Sequence, residues 1–476
     1  MFKLTKLKSL FNKLNIFNKN ADNSNSANID HKNCSYCNKP FTKKLWCKKC
    51  DPFMIIEGWS SGNNEIDKFI KDTIYDARKV NCNFLEWVPF DKFKDINRIG
   101  EGGFSKVYSA TWIDGPKMYD KGYKNWKKRK PEPIKVALKR LNGSENMSAE
   151  YLNEIKILWD LCQIAEGWLC FYGMTKDPET EELIIISEYA DKGNLRSFNS
   201  HNFNNTLWKD KLLYLQWIIY GLKKLHELGY FHKDFHSGNI LQTTNPEKRN
   251  ANASYISDFG LSGPSNKQKS DDKICGVLPY IAPEVLNGEP YSLSSDIYSF
   301  GIIMVELSSG KPPFYKRKHN TTLALEICNG LRPEFGKGTP EIYKKLAYKC
   351  LNANSNQRPT ASELYYILQF WVNSTYYDNR QEDEKFGYKG KEINAMFKEA
   401  DKEIPNISTS YEKNPDAIYS SRLFTFSNLT KPVNSSIITG YLNDEENNKD
   451  CQDSQLFDLE ISSSLQLKDD INNKEG

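Results

Sequence analysis

The chain has 476 residues with 65 Lys+Arg against 61 Asp+Glu, a formal net charge of +4. So small an excess makes no general electrostatic case for a nucleic-acid binder, and a mean hydropathy of -0.66 leaves much of the chain solvated. The hydrophobic share of 39% suffices for at least one sizeable core, but no run of about eighteen apolar residues suggests a transmembrane helix.

At the N-terminus, residues 1–20 carry five lysines and no acid, and Leu4, Leu7, Phe11 and Leu14 recur at helical spacing. A basic amphipathic helix of this kind can contact a membrane surface or act as a targeting segment; the other reading is a frayed, solvated terminus. Lysines interrupt the apolar residues, so no secretory signal pattern forms, and the eleven cysteines read as reduced thiols or metal ligands. The expected location is the cytoplasm, with the nucleus as the alternative. Asn- and Ser-rich residues close a basic N-terminal region at 1–33.

The stretch "CSYCNKPFTKKLWCKKC" follows, pairing Cys34-x2-Cys37 with Cys47-x2-Cys50 across nine residues. Two such knuckles can offer four thiolates in tetrahedral geometry, giving a small zinc-ribbon-like segment at 34–50 with structural Zn2+. Unligated, reduced thiols are the alternative; catalytic zinc is excluded because four cysteines leave no open position. The lysines at 43, 44, 48 and 49 would offset thiolate charge, but no aromatic-basic stripe supports nucleic-acid binding. A lead-in at 51–92 then places Ile66, Phe69, Ile70, Ile74 and Ala77 at helical spacing.

Residues 93–372 alternate strand-like and helix-like segments. "IKVALKRL" (134–141) reads as a strand, "EYLNEIKILWDLC" (150–162) as a helix and "ELIIISEY" (182–189) as a buried strand. "DKLLYLQWIIYGLKKLHELG" (210–229) and "SSDIYSFGIIMVELSSG" (294–310) read as long helices, each stopped by glycine. Strands crowd the first third and helices the rest, which predicts a sheet-based lobe followed by a helical lobe. Between two of the strands, the basic insert 113–135 is expected to be a solvated loop, with docking to an acidic partner as the alternative. After residue 372 the composition turns to Asn, Asp, Glu, Lys and Ser, so 373–476 is expected to be a largely disordered tail. Within it, "DAIYSSRLFTFSNL" (416–429) reads either as a docking peptide or as unstructured linker.

Several polar residues stand out against this background. "RIGEGGFSKVYSA" (98–110) offers Gly100, Gly102 and Gly103 between strand-like flanks, where a glycine hairpin can approach phosphate oxygens closely. Lys139 lies in a strand with apolar neighbours and requires an anionic partner, for which Glu154 in the next helix is a candidate. In "YFHKDFHSGNIL" (230–241), Asp234 and Asn239 sit in a loop between apolar flanks, and Asp258 follows another short strand in "ISDFGLS". A carboxylate to accept a hydroxyl proton, with an amide and a second carboxylate to ligate magnesium, is what phosphoryl transfer requires. Taken singly, each of these residues could be an ordinary turn, surface or strand-end group.

The ordered set GEGGFSKV, VALK, Glu154, HKDFHSGN, DFG and YIAPEVL resembles a eukaryotic protein kinase, in particular the tyrosine-kinase-like branch. Trp59–Ile70 together with "FLEWVPFDKF" resembles the lead-in of an expanded fungal group of such kinases, which often carries a Cys-pair segment ahead of it. The resemblance implies an α+β, bilobal protein kinase fold with a small β-rich N-lobe and a larger helical C-lobe. It implies ATP and Mg2+ as cofactors and a protein substrate. Lys139 would contact the α- and β-phosphates and pair with Glu154, Asp234 would be the catalytic base, and Asn239 and Asp258 would hold magnesium. The nucleotide would be covered by Ile99, Gly100, Glu101, Gly102, Gly103, Phe104 and Ser105. Val107, Ala137 and Leu241 would sandwich the adenine, whose edge would bond the backbone at Glu188 and Ala190, with Ser187 as a small gatekeeper. Glu284 would pair with Arg358, and Asp296 would brace the catalytic loop.

Three positions depart from the family pattern. Lys233 replaces the arginine beside the catalytic aspartate, keeping the charge but losing the planar two-pronged geometry. His236 stands where serine/threonine kinases carry a lysine, and Val277 where they carry a threonine that contacts it. The branch resemblance favours serine/threonine specificity. The alternative is a pseudokinase scaffold that binds ATP or partners without efficient transfer; the presence of all five polar residues argues against it.

Overall fold

The computed structural model describes residues 41–43, 46–47, 59–77, 84–102, 105–117, 119–121, 126–128, 132–144, 149–164, 169–244, 253–260, 262–264, 274–377, 382–426 and 429–443. The chain divides into two compact units. One comprises Met1–Trp59, Lys71–Asn83 and Lys117–Pro131; the other comprises Ser60–Ile70, Phe84–Pro116 and Glu132–Gly476. In the first unit Phe41–Lys43 pairs antiparallel with Trp46–Cys47, and Tyr119–Lys121 with Trp126–Lys128. The insert expected to be a loop thus folds back on itself as a hairpin. Cys34, Cys37 and Cys50 lie outside the described residues, as do residues 1–33. The lead-in helix α1 forms over Asn64–Ala77, where Asn63 Oδ1 accepts from the backbone N–H groups of Glu65 and Ile66.

The second unit begins with a six-stranded sheet. Its strands are β1 (Glu86–Trp87), β2 (Phe93–Glu101), β3 (Ser105–Trp112), β4 (Ile134–Leu141), β5 (Phe171–Lys176) and β6 (Leu183–Glu188), in the order β1-β5-β6-β4-β3-β2. Neighbours are antiparallel except the parallel pair β1–β5. That pair closes tightly: a Cβ at Gly173 would lie 2.0 Å from the Glu86 carbonyl oxygen, so glycine is required there. In β4 the two-residue period sends Val136 and Leu138 into a core with Val88, Phe93, Trp112 and Ile186. The same period leaves Ala137 and Lys139 on the opposite face. Helix α2 (Ala149–Ile164) follows β4 and buries Ile155, Ile157 and Leu161.

The helical lobe contains α3 (Leu195–Asn202), α4 (Trp208–Glu227), α5 (Leu293–Ser309) and α6 (Ala361–Tyr376). Apolar residues around most of α4 are buried, as expected for a helix central to a core. Gly229 follows α4 and Gly310 caps α5, both in the left-handed region with φ of +79° and +70°. Capping boxes open α5 at Ser292/Ser295 and α6 at Thr360/Glu363. Between α4 and α5, β7 (Ile240–Thr243) pairs with β8 (Ala253–Ile256), and β9 (Ile274–Gly276) follows. Arg358 donates twice to Glu284, at 2.7 and 2.6 Å, and also to the Ser294 and Asn352 carbonyls. This satisfied buried pair ties the start of α6 to the segment before α5.

The expectation of a disordered tail is corrected over residues 382–443. Helix α7 (Gly390–Asp401) buries Ile393 and Phe397 against the helical lobe, the Phe397 ring lying 5.7 Å from Trp208 and 5.6 Å from Trp371. Asp401 Oδ1 accepts the Trp208 N–H at 2.7 Å, at the start of α4. Strand β10 (Arg422–Phe424) pairs antiparallel with β9, and a last helix over Ser436–Asn443 buries Ile438. Ile393, Phe397, Ala400, Ile404, Ala417 and Ile438 of this polar stretch are buried, which an average over composition conceals. Residues 444–476 lie outside the described ones. No described helix is long and apolar enough to cross a membrane.

Replacing Phe397 with Ala should lower the unfolding free energy by about 3 kcal/mol. A denaturant titration would show this as a shifted midpoint; an unchanged midpoint would mean that α7 does not belong to the cooperative core.

Candidate active site

The cleft-facing side of β4 presents Lys139, whose Nζ donates to Glu154 Oε1 at 2.6 Å and to Asp258 Oδ1 at 2.9 Å. Three elements meet at this ammonium: β4, α2 and the turn after β8. Glu154 is almost fully buried, whereas the Asp258 side chain remains 41% exposed. Burial disfavours the charged ammonium, but Asp258 and Glu154 outweigh it and hold the lysine pKa above its usual value. For Asp258, burial pushes the carboxyl up, yet Lys139 draws it below the ordinary aspartate range. The pair is therefore an ammonium facing a carboxylate. Asp258 adopts φ +65°, and two residues on a Cβ at Gly260 would stand 3.2 Å from Glu154 Oε2, so a larger residue there would press on that carboxylate.

Asp234 lies between the short strand Tyr230–Phe231 and the 3-10 turn Ser237–Asn239. Its loop is held from α5, where Asp296 Oδ2 accepts the His232 N–H at 2.8 Å and Oδ1 accepts the Lys233 N–H at 3.2 Å. His226 Nε2 stands 3.0 Å from the same Asp296 Oδ2. His232 Nε2 pairs with the Ser257 carbonyl at 3.0 Å, and the Ser257 N–H donates to the Asn239 carbonyl at 2.8 Å. The two loops carrying Asp234 and Asp258 are thereby joined. Burial lowers the His232 pKa, in keeping with a neutral structural imidazole. Asn239 Nδ2 donates to the Asp234 carbonyl at 3.0 Å and reaches its Oδ2 at 3.3 Å, so the amide oxygen is turned away from these contacts.

The Asp234 carboxylate is 8% exposed, with His236 Nε2 at 3.5 Å from Oδ1. Burial alone would raise its pKa, but His236, the Ser421 hydroxyl and His232 together bring it down to about 2. Among the described residues Oδ1 accepts no hydrogen bond of good geometry. Oδ2 accepts one from Ser421 Oγ at 2.5 Å. Ser421 was not singled out in the sequence, although it lies in the 416–429 stretch that reads there either as a docking peptide or as unstructured linker. His236, noted there only as a departure, packs beside Asp234, and Val277 is buried. Lys233, with φ +68°, lies over the rings of Phe231 and Tyr291.

The remaining candidates line the sheet side. Gly100 pairs with Val107 across β2 and β3, and the Gly102 N–H donates to the Ser105 carbonyl at 2.8 Å, closing the turn. Ile99 is half exposed, Glu101 ends β2, and Gly103 and Phe104 lie outside the described residues. Val107 pairs with Lys139, and Ala137 lies between Ser109 and Ser187, so these walls share one patch of sheet. Glu188 ends β6, its N–H donating to the Cys170 carbonyl and its carboxylate accepting the Cys170 N–H. Ala190 and Leu241 flank the crossing to the helical lobe, Leu241 bridging to Asn194.

Residues 93–368, more than half of the chain, match the protein tyrosine and serine/threonine kinase family. The chain belongs to that family. Among curated relatives, a probable serine/threonine-protein kinase, mkcD of Dictyostelium discoideum, is 30% identical over 280 residues, covering 58% of this chain and 39% of that protein. A second, pats1 of the same organism, is 29% identical over 292 residues, covering 58% of this chain and 8% of the relative. The cytokinesis protein sepH of Aspergillus terreus is 27% identical over 343 residues, covering 72% and 22%. The chain thus spans well under half the length of these relatives.

The depressed pKa of Asp234 links the kinase site to stability. A carboxyl whose pKa in the folded state lies below the ordinary aspartate value of 3.8 stabilises the fold above that value, and the contribution is lost as pH falls through about 2. The unfolding free energy of the wild type, measured relative to Asp234→Asn, should therefore fall by about 2 kcal/mol between pH 5 and pH 2. A pH-independent difference would show that this carboxylate is not held ionised.

Proposed function

We propose that the chain transfers the γ-phosphoryl group of ATP to protein hydroxyls, serine and threonine in preference to tyrosine, in intracellular signalling. The observation that carries this reading is the Lys139 ammonium clasped by Glu154 and Asp258, which aims one fixed positive charge at the mouth of the cleft. The Gly100–Ser105 hairpin would lie over the phosphates, with Lys139 on the α- and β-phosphate oxygens. Val107, Ala137 and Leu241 would clasp the base, and the chain at Glu188 and Ala190 would bond its edge. The names of the relatives, probable serine/threonine-protein kinases, favour the acceptor class.

The donor set fits magnesium. Asn239 uses its amide nitrogen on Asp234, leaving an oxygen for a cation, and Asp258 offers a partly exposed carboxylate. Hard divalent cations take such oxygen ligands. When bound, the ion would neutralise charge on the phosphate oxygens. Asp234, an ionised carboxylate at neutral pH, would accept the hydrogen bond of the acceptor hydroxyl and take its proton as the bond to phosphorus forms. With so low a pKa its main contribution is orientation, which suits a loose transition state that demands little prior deprotonation. Retention of all five polar groups in contact disfavours a scaffold without transfer.

Radiolabelled ATP and a degenerate peptide library test the proposal. The wild type should label serine and threonine peptides above tyrosine peptides. Asp234→Asn should cut the rate by about 10²–10⁴-fold, and Asp258→Ala should abolish detectable transfer. Equal labelling by wild type and Asp258→Ala would refute catalysis by this site, and a preference for tyrosine would reverse the acceptor class.

A further inference from the structure

The C-terminal segment around β10 runs across the helical lobe to the catalytic carboxylate. Upstream of Ser421, the Tyr419 carbonyl accepts Arg196 Nη1 at 3.2 Å, and the Tyr419 hydroxyl donates to the Pro313 carbonyl at 2.8 Å. The Arg196 guanidinium also lies over the Tyr419 ring, 4.8 Å from its centroid. His319 binds this stretch twice, its N–H donating to the Asp416 carbonyl and its Nδ1 meeting the Ile418 carbonyl at 2.8 Å. Downstream, Arg422 Nη2 donates to the His319 carbonyl, and Arg422, Leu423 and Phe424 pair in register with Gly276, Cys275 and Ile274. The segment has therefore been added as a strand to β9, the way extended peptides dock on open edges. β9 passes close to the carboxylate: a Cβ at Gly276 would lie 3.4 Å from Asp234 Oδ1. With both flanks anchored, the Ser421 hydroxyl reaches Asp234 Oδ2 and lies 3.5 Å from His236 Nε2. The neighbouring Ser420 is exposed.

We propose that Ser421 is a phosphorylation site modified by its own chain, and that the segment Tyr419–Phe424 occupies the acceptor-peptide position until that happens. This rests on the kinase reading above and adds its first acceptor. In the step, Ser421 Oγ forms the bond to the γ-phosphorus of ATP as its proton passes to Asp234. The bond from the γ-phosphorus to the β,γ-bridging oxygen breaks, and ADP leaves with that electron pair. The products are phosphoserine, ADP and one proton, which Asp234 returns to solvent. A phosphoserine carries about −1.5 to −2 charges, and here it would face the ionised Asp234. Like-charge repulsion at so short a range lifts the strand from β9 and opens the cleft to other substrates. The seated tail therefore restrains activity toward other proteins, and its modification relieves the restraint. A tethered acceptor competes at an effective concentration on the order of millimolar, so this restraint is strong.

The test uses the full chain, dephosphorylated and then given Mg-ATP across a hundredfold dilution series (about 0.05 to 5 μM, below the tether's effective concentration). Phosphosite mapping by mass spectrometry should find Ser421 modified with a first-order rate that dilution does not change. Ser421→Ala should lose that site. A double variant, Tyr419→Ala with Arg422→Ala, should slow Ser421 modification. It should also raise kcat/KM toward a synthetic Ile418–Phe426 peptide about tenfold, as expected if the tail covers nine-tenths of the molecules. An unmodified Ser421 in a chain that labels the peptide, or a rate that falls with dilution, would overturn the inference and leave the kinase reading standing. Failure to label any acceptor would remove the kinase reading, and this inference with it.

Discussion

A single ammonium organises the site. Lys139 projects from the non-core face of a strand into a place where an isolated charge would be costly, and its two carboxylate partners come from elements far apart in sequence. Glu154 depends on the seating of α2 against the sheet, and Asp258 on the left-handed turn after β8. The contact forms only when the sheet lobe, its helix and the turn from the helical lobe are all in register. Such a buried pair need add little net stability. Its consequence is positional, because it sets a cation and a partly exposed carboxylate at the mouth of the same cleft.

The helical lobe does for Asp234 what the sheet does for Lys139. Asp296, in the first turn of α5, receives two consecutive backbone N–H groups from the catalytic loop. The carboxylate of the next residue, Asp234, is thereby held in place through its backbone. His232 links this loop to the segment before Asp258, so the two aspartates cannot move independently. The arrangement accounts for the burial of polar residues between apolar flanks in "YFHKDFHSGNIL". Each is either bonded inward to keep the loop in place or turned toward the cleft.

The kinase fold was legible because its elements are written in local patterns. β4 spans 134–141 as its alternation required, and α4 and α5 shift by no more than two residues from their expected bounds, because glycines terminate them. Lys139, Glu154, Asp234, Asn239 and Asp258 each stand in a short segment that is ambiguous alone, and it is the ordered set of segments that resembles a kinase. The tail was not legible in this way. Ile393, Phe397, Ala400 and Ile404 do recur at helical spacing, but an average over the polar tail hides so short a pattern, and only the contact with Trp208 and Trp371 shows where Phe397 is buried. The hairpin in the insert was likewise hidden, since its many lysines suggested a solvated loop.

What the residues determined alone is therefore the class of chemistry: a Gly-rich hairpin, a strand lysine, and carboxylates set in loops between apolar segments. Periodicity and short motifs act over a few residues, and that range is enough to shape them. The tertiary structure alone decided what stands against the Asp234 carboxylate. Ser421 meets Asp234 across 187 residues of chain, through a strand pairing and a set of backbone contacts that leave no signature in local sequence. Backbone hydrogen bonds are indifferent to side-chain identity, so a docked strand becomes visible only once both edges are in place.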